Sequence, residues 1–210
     1  ALQRVIDETP ERPIVLGGVS LGGNVLLKYL GERGRDVPHQ VRAAAAISVP
    51  FDLERGARHI SRGFSRVYDR HFLRTLKAKA LAKLARYPGL FDAASLDRAG
   101  SIYEFDDAVT APVHGFDDAH DYYMRSSSLR FLAAIQVPTL LLSAIDDPFL
   151  PSAVLEEVRA LAAENAKLTV EFTPRGGHVG FVSGLVPWRP FYYGEWRACE
   201  YLDRALAGAR

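Results

Sequence analysis

The segment Gly18-Val19-Ser20-Leu21-Gly22 sets a serine between two glycines at the spacing G-x-S-x-G, where a short apolar run gives way to a helical pattern. A sharp strand-to-helix turn of this kind forces the serine into a strained backbone conformation and lifts its hydroxyl above the end of the strand. Residues two before and two after the serine must then lack bulk, and Gly18 and Gly22 satisfy this. The same turn aims the Leu21 backbone N–H, at the positive end of the following helix, toward the place where an oxyanion would form. The chemistry implied is attack by the Ser20 hydroxyl on an acyl carbon. A phosphate-binding turn is the weaker reading, because this turn carries neither G-x-G-x-x-G nor Gly-Lys-Ser/Thr.

A serine hydroxyl is a poor nucleophile until a base takes its proton during attack. Six histidines are available: His39, His59, His71, His114, His120 and His178. Only His178 directly follows a late strand, in the run Gly176-Gly177-His178-Val179-Gly180, whose glycines let the backbone bend to bring the ring over the serine. His39 precedes a strand, and the other four fall in the middle third, where surface or structural roles are commoner. The base must in turn be oriented by an acid. The apolar run Val137 to Ile145 ends at two adjacent carboxylates, Asp146 and Asp147, and either could serve.

These side chains need a scaffold of strands and helices. Ile14 to Leu16 and residues 41–50 read as buried strands, Val137 to Ile145 as a strongly apolar strand and residues 167–174 as a further strand. Residues 1–9, 21–34, 151–165 and 192–209 read as the helices between and around them, with Leu2, Val5 and Ile6 on one face of the first and Val154, Val158 and Leu161 on one face of the third. Alternation of this kind predicts an α/β fold with a mostly parallel, doubly wound sheet. Residues 51–135 break the rhythm with helical patterns and no core strand. They are expected to form a helical cap inserted above the sheet of a single domain spanning 1–210. The length suits one sizeable core.

Taken together, "GGVSLGGN", "AISVPFDL", "YDRHFLRTLK", "YEFDDAVTAPVHGFDDAHDYY", "PTLLLSAIDDPF" and "GGHVGF" resemble the YheT-like branch of the α/β-hydrolases, which also includes the ABHD-type lipases and esterases. The likeness covers nearly the whole chain. It implies a serine hydrolase for carboxylic esters, of short to medium acyl chain or lipid-like, with the cap shaping an acyl pocket. It implies a Ser20–His178–Asp147 set, since the acid of such loops comes just before the proline-containing turn. Asp146 would then cap the turn or face solvent. An acyltransferase or thioesterase would use the same three residues, and a non-catalytic binding fragment is the more distant alternative. The chain starts with Ala1 inside a helical pattern, with about a dozen residues ahead of the nucleophile strand. The resemblance therefore implies that N-terminal strands, and the loop giving a second oxyanion donor, lie outside it.

Composition is ordinary for a globular protein, with 48% hydrophobic and 24% charged residues and a net charge of +1. Nucleic acid is not an expected partner. The single cysteine, Cys199, rules out an internal disulfide and fits a cytoplasmic setting. No apolar run reaches the roughly 20 residues of a membrane span. Ten basic residues between Arg55 and Arg86, against Asp69 alone, suit the solvated side of helices that pack through Phe72, Leu73, Leu76 and Leu84; peripheral contact with anionic lipid is the sharper alternative. Asp117, Asp118, His120 and Asp121 are expected to cap a short helix rather than to hold a metal, and Asp106, Asp107 and His114 to fix loops. Trp188, Phe191 and Trp196 are expected to pack internally. Neither metal nor organic cofactor is needed for the acyl chemistry.

Overall fold

The computed structural model describes residues 2–184 and 188–208. The chain divides into two compact units, one made of Ala1–Phe51, Ser128–Asp147 and Ser152–Arg210, the other of Asp52–Ser127 and Pro148–Pro151. The first contains a four-stranded parallel sheet in the order β1 (Ile14–Val19), β2 (Val41–Ile47), β3 (Thr139–Ala144), β4 (Leu168–Thr173). Its helices are α1 (Leu2–Glu8), α2 (Leu21–Arg33), α9 (Ser152–Ala163) and α10 (Tyr193–Ala207).

The two-residue period of the strands sorts their side chains between two cores. Ala44, Ala46, Leu141 and Leu168 join Leu27 and Leu30 of α2 and Val154, Leu155 and Val158 of α9 on one face. Ala45, Leu140, Leu142 and Ala144 meet Ala198 of α10 and Phe181, from the loop after β4, on the other. Burial on both faces explains why the central strands β2 and β3 read as near-continuous small or apolar runs, whereas β4, at the end of the sheet order, alternates as Leu-Thr-Val-Glu-Phe-Thr. β1 runs three residues past the Leu16 end expected from its apolar stretch, because Gly17, Gly18 and Val19 keep pairing with Ala45, Ala46 and Ile47.

A short antiparallel pairing of Val182–Ser183 with Phe191–Tyr192 had no signal in the sequence. Trp188, Phe191 and Trp196 are exposed by 79%, 43% and 46%, contrary to the internal packing expected of them. α10 turns Gly194, Ala198, Tyr201 and Leu202 inward, and Trp196 projects from the opposite side of that helix, against the Phe191 ring at 5.6 Å.

The second unit is built of α3 (Leu53–Ile60), α4 (Arg66–Arg86), α5 (Ala93–Arg98), α6 (Ile102–Phe105), α7 (Ala111–His114) and α8 (Ala119–Ser126), with a π-helical turn at Asp106–Thr110. Its core gathers Leu73, Ala80, Phe91, Leu96, Ala99, Phe105 and Val109. The buried stripe of α4 runs through Asp69, Leu73 and Ala80. Phe72, expected on that stripe, lies roughly a quarter turn from its centre and is 39% exposed, edge-on to Phe149 at 5.8 Å. Among the described residues no helix is long and apolar enough to cross a membrane.

Candidate active site

The turn after β1 has the strain expected of it. Ser20 sits at φ 53°, ψ −127°, a region that costs a non-glycine residue on the order of 1–3 kcal/mol. Its N–H donates to the Ile47 carbonyl at 2.8 Å, and its own carbonyl accepts from Gly23 and Asn24 as α2 begins. A serine at a helix N-cap ordinarily turns its hydroxyl onto the first turn. Ser20 makes no such bond, which leaves Oγ directed elsewhere.

Close approach at the turn falls on Gly18 and Gly23. A Cβ on Gly18 would stand 2.8 Å from the Gly22 carbonyl oxygen and 2.8 Å from Gly23 Cα, all rigid backbone. A Cβ on Gly23 would stand 2.6 Å from the Val49 side chain. Gly22, expected to be small for steric reasons, has nothing within 4 Å of a Cβ built there. The helix has already turned its side chain position outward at that point, so the steric requirement passes one residue along. The next residue, Asn24, is buried and accepts the Ser128 N–H at 2.8 Å, fixing the start of α2. The sequence reading assigned Asn24 no role; a polar residue on the inner side of an apolar helix was its only signal.

The loops after β3 and β4 bring the other two groups in. Asp147 follows β3 and its side chain is wholly buried. His178 follows β4 in a loop held by the Gly176 carbonyl, which accepts the Phe181 N–H at 2.9 Å. Gly177 adopts φ +62°, and a Cβ on Gly176 would meet the Phe181 ring at 2.7 Å. Gly180, in contrast, has only ordinary contacts, so the bend does not depend on it. His178 Nδ1 lies 2.8 Å from Asp147 Oδ2, and Nε2 lies 2.8 Å from Ser20 Oγ. With Asp147 ionised, Nδ1–H donates to the carboxylate and Nε2 is left to accept the serine proton. The ring is only 15% exposed, so little water competes for either bond. Such a relay can move a proton from a hydroxyl to an imidazole and stabilise the imidazolium formed. Leu21 is the first residue of α2, and its N–H is among those a helix start leaves without an intrahelical partner. Asp146, the neighbouring carboxylate, accepts instead from the Gly176 and Gly177 N–H groups, both at 2.9 Å.

Several of the other acids, and His120, are engaged otherwise. In the helical unit Asp118 caps α8 through the Asp121 N–H, Asp121 accepts from Asp117 N–H, and His120 Nδ1 lies 2.9 Å from Glu54 Oε2. Asp107 accepts the Ala119 N–H, and Asp106 accepts from the Thr110 and Tyr123 hydroxyls. Among the described residues no group of three or more His, Cys, Asp or Glu could hold a metal ion.

A family model described as the α/β hydrolase fold matches residues 1–185. YheT of Escherichia coli (strain K12) is 43% identical over 187 residues, covering 88% of this chain and 53% of that protein. Phospholipase ABHD3 of Mus musculus is 32% identical over 198 residues, covering 94% of this chain and 45% of that protein. The chain therefore spans about half the length of these curated relatives. Among solved structures, Candida Antarctica lipase A superposes with a TM-score of 0.60 at 12% identity, covering 100% of this chain and 52% of that one, a likeness of fold. Sheet order, strained serine turn and sequence likeness converge: the chain belongs to the α/β-hydrolase fold family, and within it to the YheT and ABHD type.

Proposed function

We propose that the chain carries the catalytic machinery of a serine hydrolase for carboxylic esters, with Ser20 as nucleophile, His178 as general base and acid, and Asp147 as the acid that orients it. One observation carries this above all: the unbroken run Ser20 Oγ, His178 Nε2, His178 Nδ1, Asp147 Oδ2, both of its hydrogen bonds 2.8 Å long, starting at a strained backbone turn. In the first half-reaction Ser20 Oγ bonds to the ester carbonyl carbon as His178 Nε2 takes its proton. The Leu21 N–H donates to the oxyanion. His178 then returns the proton to the departing alcohol, leaving an acyl-serine. In the second half-reaction His178 takes a proton from water, whose oxygen attacks the acyl-serine, and gives it back to Ser20 Oγ as the acid leaves.

The three residues belong to a single compact unit, and each hangs from the carboxyl end of a different parallel strand, where ligands of open α/β sheets bind. Relatives named as a phospholipase (ABHD3) and a monoacylglycerol lipase (ABHD2 of Danio rerio, 28% identical over 190 residues) favour acyl esters of lipid-like character as substrates. The helical unit would then serve as a cap that shapes the acyl pocket. The decisive measurement is covalent labelling by a fluorophosphonate together with release of p-nitrophenol from p-nitrophenyl esters of graded chain length. Labelling and turnover should both vanish in Ser20→Ala. Turnover that survives in Ser20→Ala would remove the nucleophile from this account.

A further inference from the structure

We propose that Asp146 is the positioning residue for the catalytic histidine, an assignment that rests on the serine-hydrolase function proposed above. Consecutive carboxylates follow β3 and divide the work between them. Asp147 Oδ2 meets the imidazole. Asp146 Oδ1 accepts two backbone N–H groups, from Gly176 and Gly177, each at 2.9 Å, and these are the two residues immediately before His178. A single carboxylate oxygen thus ties the loop after β3 to the loop after β4, the two loops that carry acid and base.

Other bonds hold the two ends of this stretch, the Thr173 hydroxyl donating to the Arg175 carbonyl at 3.0 Å and the Tyr193 N–H to the Phe181 carbonyl at 3.0 Å. Gly177 holds φ +62°, a conformation glycine enters and leaves at little cost. Gly176 is wedged against the Phe181 ring and the Ala144 methyl, with its carbonyl accepting the Phe181 N–H. That bond closes the loop behind His178. The bonds from Asp146 fix it in front. Both are charge-assisted, about twice as strong as neutral bonds, and two donors on one oxygen set the peptide planes that lead into the histidine. Without them the backbone at Gly177 is released, and the ring loses the fixed point from which it reaches Asp147 and Ser20 together. A displacement of about 1 Å at a reacting group can cost on the order of 100-fold in rate.

Position and charge make different predictions, and substitutions at Asp146 separate them. Asp146→Asn keeps an acceptor oxygen in place without the charge. Asp146→Glu keeps the charge but carries it one methylene too far. Asp146→Ala removes both. Steady-state hydrolysis of a soluble p-nitrophenyl ester should show kcat lowered about 30- to 100-fold in Asp146→Ala and about 10-fold in Asp146→Glu, with KM within about twofold. Asp146→Asn should recover to within about fivefold of wild type. Should Asp146→Ala fail to fold, the ranking of Asn above Glu carries the test.

The low-field imidazole proton of His178, seen by NMR, supplies a readout that needs no turnover. It should persist in Asp146→Asn and be lost or broadened in Asp146→Glu. Glu outperforming Asn, or Asp146→Ala within twofold of wild type in kcat, would overturn the assignment. If wild type shows the low-field proton and its dependence on Asp146 yet neither labels nor hydrolyses, the proposed function fails and the positioning role stands.

Discussion

In the strand-bearing unit, core backbone groups bond to one another along the ladders of β1 to β4, and among the described residues its one buried carboxylate, Asp147, stands in the loop after β3 against His178. In the helical unit the backbone leans on side chains. Asp52, Asp92, Ser101 and Asp118 cap α3, α5, α6 and α8, buried Asp69 accepts the Ile102 N–H, and Asp107 accepts the Ala119 N–H. The difference follows from element length. Helices of four to eight residues leave most of their end groups without intrahelical partners, and an oxygen must be found for each buried N–H. The acids named in the helical unit are thus structural braces, whereas Asp147 turns its Oδ2 to an imidazole and leaves the backbone N–H groups of the β4 loop to Asp146.

The same chemical change made in each unit tests that contrast most strongly. Asp147→Asn should lower kcat on the order of 10⁴-fold, because the amide can donate to Nδ1 and hold the ring with its proton on the nitrogen facing Ser20. Urea unfolding of the same variant should move far less than its rate. Asp69→Asn is the counterpart: the fluorophosphonate labelling rate should stay within about twofold, while stability drops by about 1 kcal/mol as a charged acceptor becomes a neutral one. A rate loss in Asp69→Asn approaching that of Asp147→Asn would erase the distinction between brace and chemistry.

Within the strand-bearing unit, the two glycines that flank the serine at equal spacing should respond with opposite signs. Gly18→Ala drives a Cβ into backbone at 2.8 Å in a turn that cannot give, and should cost about 3 kcal/mol along with slower labelling. Gly22→Ala meets open space inside α2 and should raise stability by about 0.5–1 kcal/mol, the helix preference of alanine over glycine. Thermal melts of the pair settle it; equal destabilisation would mean that the turn relaxes to share the strain.

Legibility in the sequence followed the same division. β3 is readable because a run of buried apolar residues bounded by turn residues has few other solutions, β4 because Leu-Thr-Val-Glu-Phe-Thr alternates with period two, and Ser20 and His178 stand out because each sits close to glycines after a strand. β1 was cut short because Gly17 and Gly18 contribute no hydrophobic signal, although their backbones pair normally. The separate task of Asp146 was illegible, since two adjacent aspartates are chemically alike until the β4 loop supplies donors to one and an imidazole to the other. The helical unit hid most. α6 and α7 are a turn long, too short for a 3.6-residue period to register, and the π-helical turn between them breaks the phase. Phe72 and Trp196 were misjudged for a related reason: aromatic character predicts burial only on average, and the phase of α4 and α10 decides which ring turns outward.

The smallest expected effect concerns a side chain of the helical unit, Asp106, that burial holds away from its ordinary protonation. Asp106, on the π-helical turn, is drawn above the usual carboxylate value of 3.8 chiefly by burial, with hydroxyl bonds from Thr110 and Tyr123 pulling the other way. Burial likewise pushes Tyr123 up, with the Asp106 charge adding to it, and lifts Tyr122 to about 12. A carboxyl group whose folded pKa is raised binds more protons folded than unfolded. Its contribution is therefore fully present below 3.8 and is lost as pH rises through the raised value. Glu54 runs the opposite way: burial raises it, but bonds from Arg58 and His120 outweigh that, so its contribution is present above 4.5 and lost only as pH falls through its lowered value. The two windows are separable. Urea midpoints followed from about pH 4 up to about pH 7 should show wild type losing stability toward neutrality relative to Asp106→Asn, whose amide does not titrate. The Tyr123 hydroxyl keeps an oxygen to donate to in that variant, so the difference isolates the proton from the hydrogen bond. Parallel pH dependence in the two proteins would mean that Asp106 ionises as an exposed acid does, and the helical unit would then contain no buried acid of displaced titration among the braces that distinguish it from the sheet.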